Sequence, residues 1–150
     1  MRSLFNRRDG AAAVEMALLS PFFALLLVGF YDYGSYLVDA SAVEKGVRAG
    51  AMLAARSTLP LSTDATTRVN NVVKKGNIAG TGNFVVNGWS DAGATLTITT
   101  RSETVSGQTV QVIRLQATVP YKSFAEGLLT AVGLPVPTIS AVHEQAYVGA

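Results

Sequence analysis

Residues 7–31 read RRDGAAAVEMALLSPFFALLLVGFY, and the reading of this stretch decides the fold. Two arginines, an aspartate and a glycine lead into Ala11–Tyr31, 21 residues with a single charge, Glu15. A helix of that length is about 30 Å long, the thickness of a bilayer's hydrocarbon core. Ser20-Pro21 interrupts the run, which a membrane helix tolerates as a kink better than a soluble one. A carboxylate five residues inside such a segment costs about 2.5–3.5 kcal/mol on insertion scales unless it is paired. Glu15 therefore either snorkels at the cytoplasmic edge or is the reason for the segment. Arg2, Arg7 and Arg8 precede the run and no comparable cluster follows closely. The positive-inside rule then places the N-terminus in the cytoplasm and everything after about Asp32 outside.

Composition agrees with a membrane segment. The chain has 150 residues, of which 49% are hydrophobic and only 15% charged, against about 25% in soluble domains. Its mean hydropathy is positive. The formal charge of +2 is the balance of Arg2, Arg7 and Arg8 against Asp9, so the remainder is neutral. The basic balance is thus a property of the leader and gives no nucleic-acid footprint. There is no cysteine, which excludes disulfides, thiolate metal sites and thiol catalysis.

The helical pattern continues past the membrane edge from Asp32 to about Arg56, where no proline occurs and Glu44 stands four residues before Arg48. Ala42, Gly46, Gly50 and Ala54 form a stripe of small residues on this half. Such spacing lets two helix backbones approach closely, whether against the chain's own domain or a neighbouring subunit. Gly29, Gly34, Gly46 and Gly50 each cost about 1 kcal/mol relative to alanine, which suggests a packing demand or local melting.

Beyond this helix, TLPLSTDATTRVNNVVKKGN (58–77) predicts a turn and a second helix. Ser62 or Thr63 is its cap, Ala65, Val69, Val72 and Val73 its apolar face, and Gly76 its stop. Phe84–Trp89 is a candidate strand. Ala94, Leu96 and Ile98 alternate with threonines; Ile113, Leu115, Ala117 and Val119 alternate with Arg114, Gln116 and Thr118. These two runs predict an antiparallel hairpin joined by the polar connector RSETVSGQ (101–108). SFAEGLLTAVG (123–133) predicts a short helix with a Ser123/Glu126 capping box and Gly133 at its end. PVPTISAVHEQAYV (135–148) predicts a final edge strand. The expected fold is α+β: a long N-terminal helix, half in the membrane, on a small domain with an antiparallel, meander-like sheet. Its parts are a leader over 1–10, a membrane half over 11–31, an extracytoplasmic half over 32–56 and a globular domain over 57–150.

No catalytic constellation emerges. His143 is the only histidine, expected beside Glu144 on a strand surface, so neither a zinc site nor a nucleophile–base pair can be completed. The glycine-rich GNIAGTGNF (76–84) lacks the strand-then-helix context of a phosphate loop and reads as a loop. Tyr31, Tyr33 and Tyr36 fall where an interfacial aromatic belt would be. No enzyme activity, cofactor or metal is expected.

The order of basic leader, Gly10, Ala11 and then Glu15 as fifth apolar-segment residue resembles the type IV prepilin processing pattern. More closely, RRDGAAAVEMALLSPFFALLLVGFYDYGSYLVDASAVEKGVRAGAMLAAR resembles the TadE-like minor pilins of tight-adherence (Tad, type IVc) pilus systems. ATVPYKSFAEGLLTAVGLPVPTISAVHEQAYV is similar to the C-terminal part of that family, and Leu59–Ser106 resembles it least. The resemblance implies a pseudopilin of the bacterial inner membrane, taking part in pilus initiation, tip formation or membrane-level priming for surface adherence. It implies cleavage by a prepilin peptidase between Gly10 and Ala11, with Ala11 as the new N-terminus and a candidate for methylation. It gives Glu15 a partner, the amine of Ala11 on an adjacent subunit. Two opposite charges in low dielectric attract strongly, and each alone would be penalised, so the pair would set the register of an incoming subunit. The implied partners are the inner membrane, the peptidase, other pilins and assembly-platform proteins.

Two other readings remain open to the sequence. One is a permanently anchored single-span binding domain outside any filament, which would retain Met1–Gly10 and dispense with Glu15. The other is a secreted domain cut at Ala40-x-Ala42, which lies too far beyond the apolar run.

Overall fold

The computed structural model describes residues 7–131, 133 and 135–149; Arg2 lies outside the described residues. The first element, α1, runs unbroken from Arg7 to Ala54, about 72 Å at the usual rise. Pro21 lies inside it and withholds the N–H that would bond the carbonyl of Ala17. The Ser20 hydroxyl donates to that carbonyl at 3.3 Å, so the interruption leaves no orphaned acceptor. The helix ends two residues before the expected Arg56. Ser57 Oγ donates to Leu53 O at 2.9 Å in its last turn, and just beyond the end the Val148 N–H, from the far end of the chain, donates to Ala55 O at 3.2 Å.

A loop leads to α2 (Thr63–Lys75). Ser62 is its cap, accepting from the Ala65 N–H, and Gly76 closes it in the left-handed conformation at φ 72°. Val69 and Val73 are fully buried. The expected strand over Phe84–Trp89 does not form. The chain is irregular there and then makes a single 3-10 turn, Asn87–Ser90, that buries Val86 and Trp89. A side chain at position 88 would meet the carbonyl of Pro120. The turn is thus wedged against the end of the central strand.

The sheet has three antiparallel strands in sequence order, β1 (Thr95–Val105), β2 (Gln108–Pro120) and β3 (Thr138–Ala146). The connector expected over 101–108 is mostly strand. Arg101 pairs with Val112 and Val105 with Gln108, leaving a two-residue turn, Ser106-Gly107, both with positive φ. The alternation expected in β2 is present: Ile113, Leu115, Ala117 and Val119 are fully buried. They meet Val43, Val47, Ala51 and Ala54 of α1 and Ile139 and Ala141 of β3 in one core. Leu96 and Ile98 of β1, and Ala94 just before it, are half-buried at its margin. His143 shares the inward alternation of Ile139 and Ala141 and is half-buried, a correction to the expected surface position. The outer face carries Arg101, Arg114 and Glu144, with Arg101 2.9 Å from Glu144. The short helix α3 (Glu126–Ala131) lies between β2 and β3. Ser123 Oγ accepts from the Ala125 N–H, not from that of Glu126, so its start is a tight local turn and no capping box.

Candidate assembly segment and membrane-edge clamp

The two halves of α1 have opposite surroundings. Residues 11–27 are exposed without exception, including Val14, Met16, Leu18, Phe22, Phe23 and Leu27. This is the one helix among the described residues long and apolar enough to cross a membrane. Gly10, Ala11 and Glu15 stand on this exposed stretch, with Ala11 and Glu15 one helical turn apart. None of the described residues forms an ion pair with Glu15. Arg7 and Arg8 are the first residues of the helix, so the Gly10–Ala11 peptide is helical. A protease acting there would first have to unwind the end of α1, which glycine makes cheaper by about 1 kcal/mol.

From Tyr36 onward the helix turns a face to the domain. The small-residue stripe lies against α2. A Cβ at Gly46 would stand 2.7 Å from the carbonyl oxygen of Val73, and one at Gly50 would overlap the Val73 side chain. Ala42 borders the same contact and Ala54 is fully buried. By contrast, a Cβ at Gly10, Gly29 or Gly34 would meet nothing within 4 Å. Glu44 and Arg48 are exposed and make no ion pair with each other. Of the three tyrosines expected as a belt, Tyr31 and Tyr33 are exposed, whereas Tyr36 packs edge-on against Tyr121 at 5.4 Å between centroids.

Between the two halves sits a clamp that no sequence pattern indicated. Asp32, the residue after the apolar run, receives three donors from the loop that follows β2. The Tyr121 hydroxyl donates to its backbone carbonyl at 2.8 Å and its Oδ1 at 3.1 Å. Ser123 Oγ donates to Oδ2 at 2.8 Å, and the Phe124 N–H to Oδ1 at 2.8 Å. Hydrogen bonds to a carboxylate are roughly twice as strong as neutral ones. Burial, the hydrogen bond to Asp32 and the negative charge of Asp32 together push the Tyr121 hydroxyl up to about 12. Asp39, two turns further on, has its carboxyl pushed upward by burial. Lys122, between the clamping residues, bonds Asp91 at 2.8 Å, and that contact raises its ammonium above the ordinary range. The partners of Asp32 lie 89 to 92 residues away in sequence, so no local periodicity could announce them. The one available signal was an acidic residue placed directly where the apolar run ends.

No group of three or more potential metal ligands exists among the described residues. An open hollow of about 680 Å³ under β1 is lined by Leu59, Pro60, Leu61, Thr66, Ile98 and Thr100 among others and presents no acid–base pair.

The chain matches the family model described as TadE-like protein over residues 10–52. Neither the curated proteins nor the solved structures contain a match to it. The matched segment begins at the glycine before Ala11 and ends inside the domain-bound half of α1, so the resemblance of the C-terminal stretch has no counterpart in it. Carried by this one helix, the match covers 43 of the 150 residues and makes the N-terminal segment similar to TadE-like proteins.

Proposed function

We propose that the chain is a minor pilin, or pseudopilin, that takes part in assembling a Tad-type IVc pilus used for surface adherence. In this reading a prepilin peptidase removes residues 1–10, and the protein stands in the inner membrane with its N-terminus cytoplasmic and its domain outside. From there it joins other pilin subunits, at initiation, at the tip or in membrane-level priming. The observation that carries the reading is Glu15, a carboxylate exposed on an otherwise apolar, outward-facing helix. A charge in that position needs a partner from another molecule or a retreat to the membrane edge. The Ala11 amine of a neighbouring subunit supplies one at the depth of Glu15. The TadE-like match beginning at residue 10 supports the same processing boundary. The motor that drives assembly would be a separate protein, since the chain carries no phosphate-binding loop.

The test is the intact mass of the membrane-fraction protein from cells with and without their prepilin peptidase. A start at Ala11 that depends on the peptidase is the expected result. A start at Met1 in both strains would overturn the reading in favour of a permanently anchored domain.

A further inference from the structure

The loop that closes on Asp32 does more than hold the domain. Its next side chain, Phe124, is 76% exposed, although its own N–H is fixed to Asp32 Oδ1. The ring rests edge-on against Tyr31, with centroids 5.9 Å apart. Tyr31 is the last residue of the apolar run and is itself exposed. On another side of the helix, Gly29, Tyr33, Tyr36, Tyr121, Pro135 and Pro137 border a shallow, mainly apolar hollow of about 490 Å³. Asp32 is the charged member of its lining, and its carboxylate is already taken up by three donors.

We infer that Phe124 and this rim form a second membrane contact, an aromatic foot set into the interfacial layer of the bilayer that α1 crosses. The inference rests on reading residues 11–31 as the membrane span. Continuity names the occupant: the foot extends the exposed apolar surface of the span without a break. The clamp sets its depth, because Phe124 is bonded to a residue one step beyond Tyr31 and a helix rises only about 1.5 Å per residue. Tyr31 suits the headgroup level, where one side is apolar and the other wet, and Phe124 beside it suits the apolar side of that boundary. A water-facing role would leave two large rings, set edge-on to each other, in solvent. The lipid surface removes both from water and, with two points of attachment, fixes the tilt of the domain over the membrane.

The cysteine-free sequence permits a direct test. Leu18→Cys, Phe124→Cys and Val105→Cys, each in the full chain, take a nitroxide label and are reconstituted in phosphatidylethanolamine–phosphatidylglycerol vesicles at high lipid excess. Power saturation then compares access by oxygen, which partitions into lipid, with access by a water-soluble nickel chelate. Phe124 contributes only its N–H to the clamp, so the substitution leaves the fold intact. The label at 18 should report lipid and the label at 105, at the hairpin tip, should report water. The label at 124 should show an oxygen-to-nickel ratio several-fold above that at 105. A label at 124 as wet as that at 105, with 18 in lipid, overturns the foot alone. Water at 18 overturns the span on which it rests. Shielding at 124 that appears only in crowded vesicles, with spin–spin broadening, gives the surface to a second copy and also overturns the inference.

Discussion

The two halves of α1 are one helix with two kinds of glycine. Gly46 and Gly50 lie where α2 approaches so closely that a Cβ would strike backbone or side-chain atoms of Val73. Gly29 and Gly34 face open space. The same residue thus meets a packing demand inside the domain and leaves a bare patch outside it. Apolarity divides in the same way. Val43, Val47 and Ala51 are buried within the chain, whereas Val14, Leu18 and Phe22 are covered by nothing the chain itself supplies. Stability should therefore be governed by one half and association by the other.

The largest effect that would break or sharpen this division concerns Glu15. Glu15→Ala should abolish surface pili while leaving the domain's unfolding, followed by the fluorescence of the buried Trp89 in micelles, within about 0.5 kcal/mol of the parent. Normal piliation in the variant would remove Glu15 from assembly. Next comes Gly50→Leu, which should destabilise the domain by about 3 kcal/mol, the upper part of the usual range for overpacking. Urea titration of the same signal measures it, and an unchanged midpoint would mean that α2 can yield. Asp32→Ala leaves the Ser123 hydroxyl and the Phe124 N–H without their acceptor, while Tyr121 keeps the backbone carbonyl, and should cost about 2 kcal/mol. Gly34→Ala should move stability the other way, by about 0.5–1 kcal/mol, because only helix propensity changes. A loss of piliation in that stable variant would assign Gly34 to contact with another subunit.

The smallest effect is on pH dependence. The folded chain holds the Tyr121 proton until about 12, while the ordinary value is 10.0. The unfolded chain releases that proton first, so the linked stability is complete below pH 10 and is lost as pH rises through about 12. Absorbance titration should find one of the five tyrosines ionising late, and Tyr121→Phe should flatten the fall in stability over that interval.

Sequence pattern made the domain-bound half of α1 and the central strand legible because each buries one face against a broad partner, and the outer half legible because its apolar run matches the thickness of a bilayer. Ile113 to Val119 alternate since β2 has the helix on one side and solvent on the other. Arg101–Gln108 misleads because the hairpin tip extends beyond the reach of α1. With both faces wet, Arg101, Glu103 and Thr104 look like loop. Phe84–Trp89 misleads in the opposite sense. Its β-prone composition serves burial of Val86 and Trp89, and contact between Gly88 and Pro120 bends it into a 3-10 turn. Pattern placed His143 on a strand surface, and register sets it opposite Leu115 on the half-buried inward face. Asp32 was illegible for a different reason. A single carboxylate with partners about ninety residues away has no period at all, yet it joins the span to the domain.

The continuity of α1 also has a mechanical meaning. A 48-residue helix carries no flexible joint between Glu15 and Val43, and Ser20 braces the one proline on the way. Force or torque applied near Glu15 therefore travels along a rod, not through a linker. Asp32 is the first point at which that load passes sideways into the domain, through short hydrogen bonds, before the core takes the rest. A neighbour that rotates the exposed apolar end of such a rod would turn the domain with it, so a grip near Glu15 would steer a surface some tens of ångströms away.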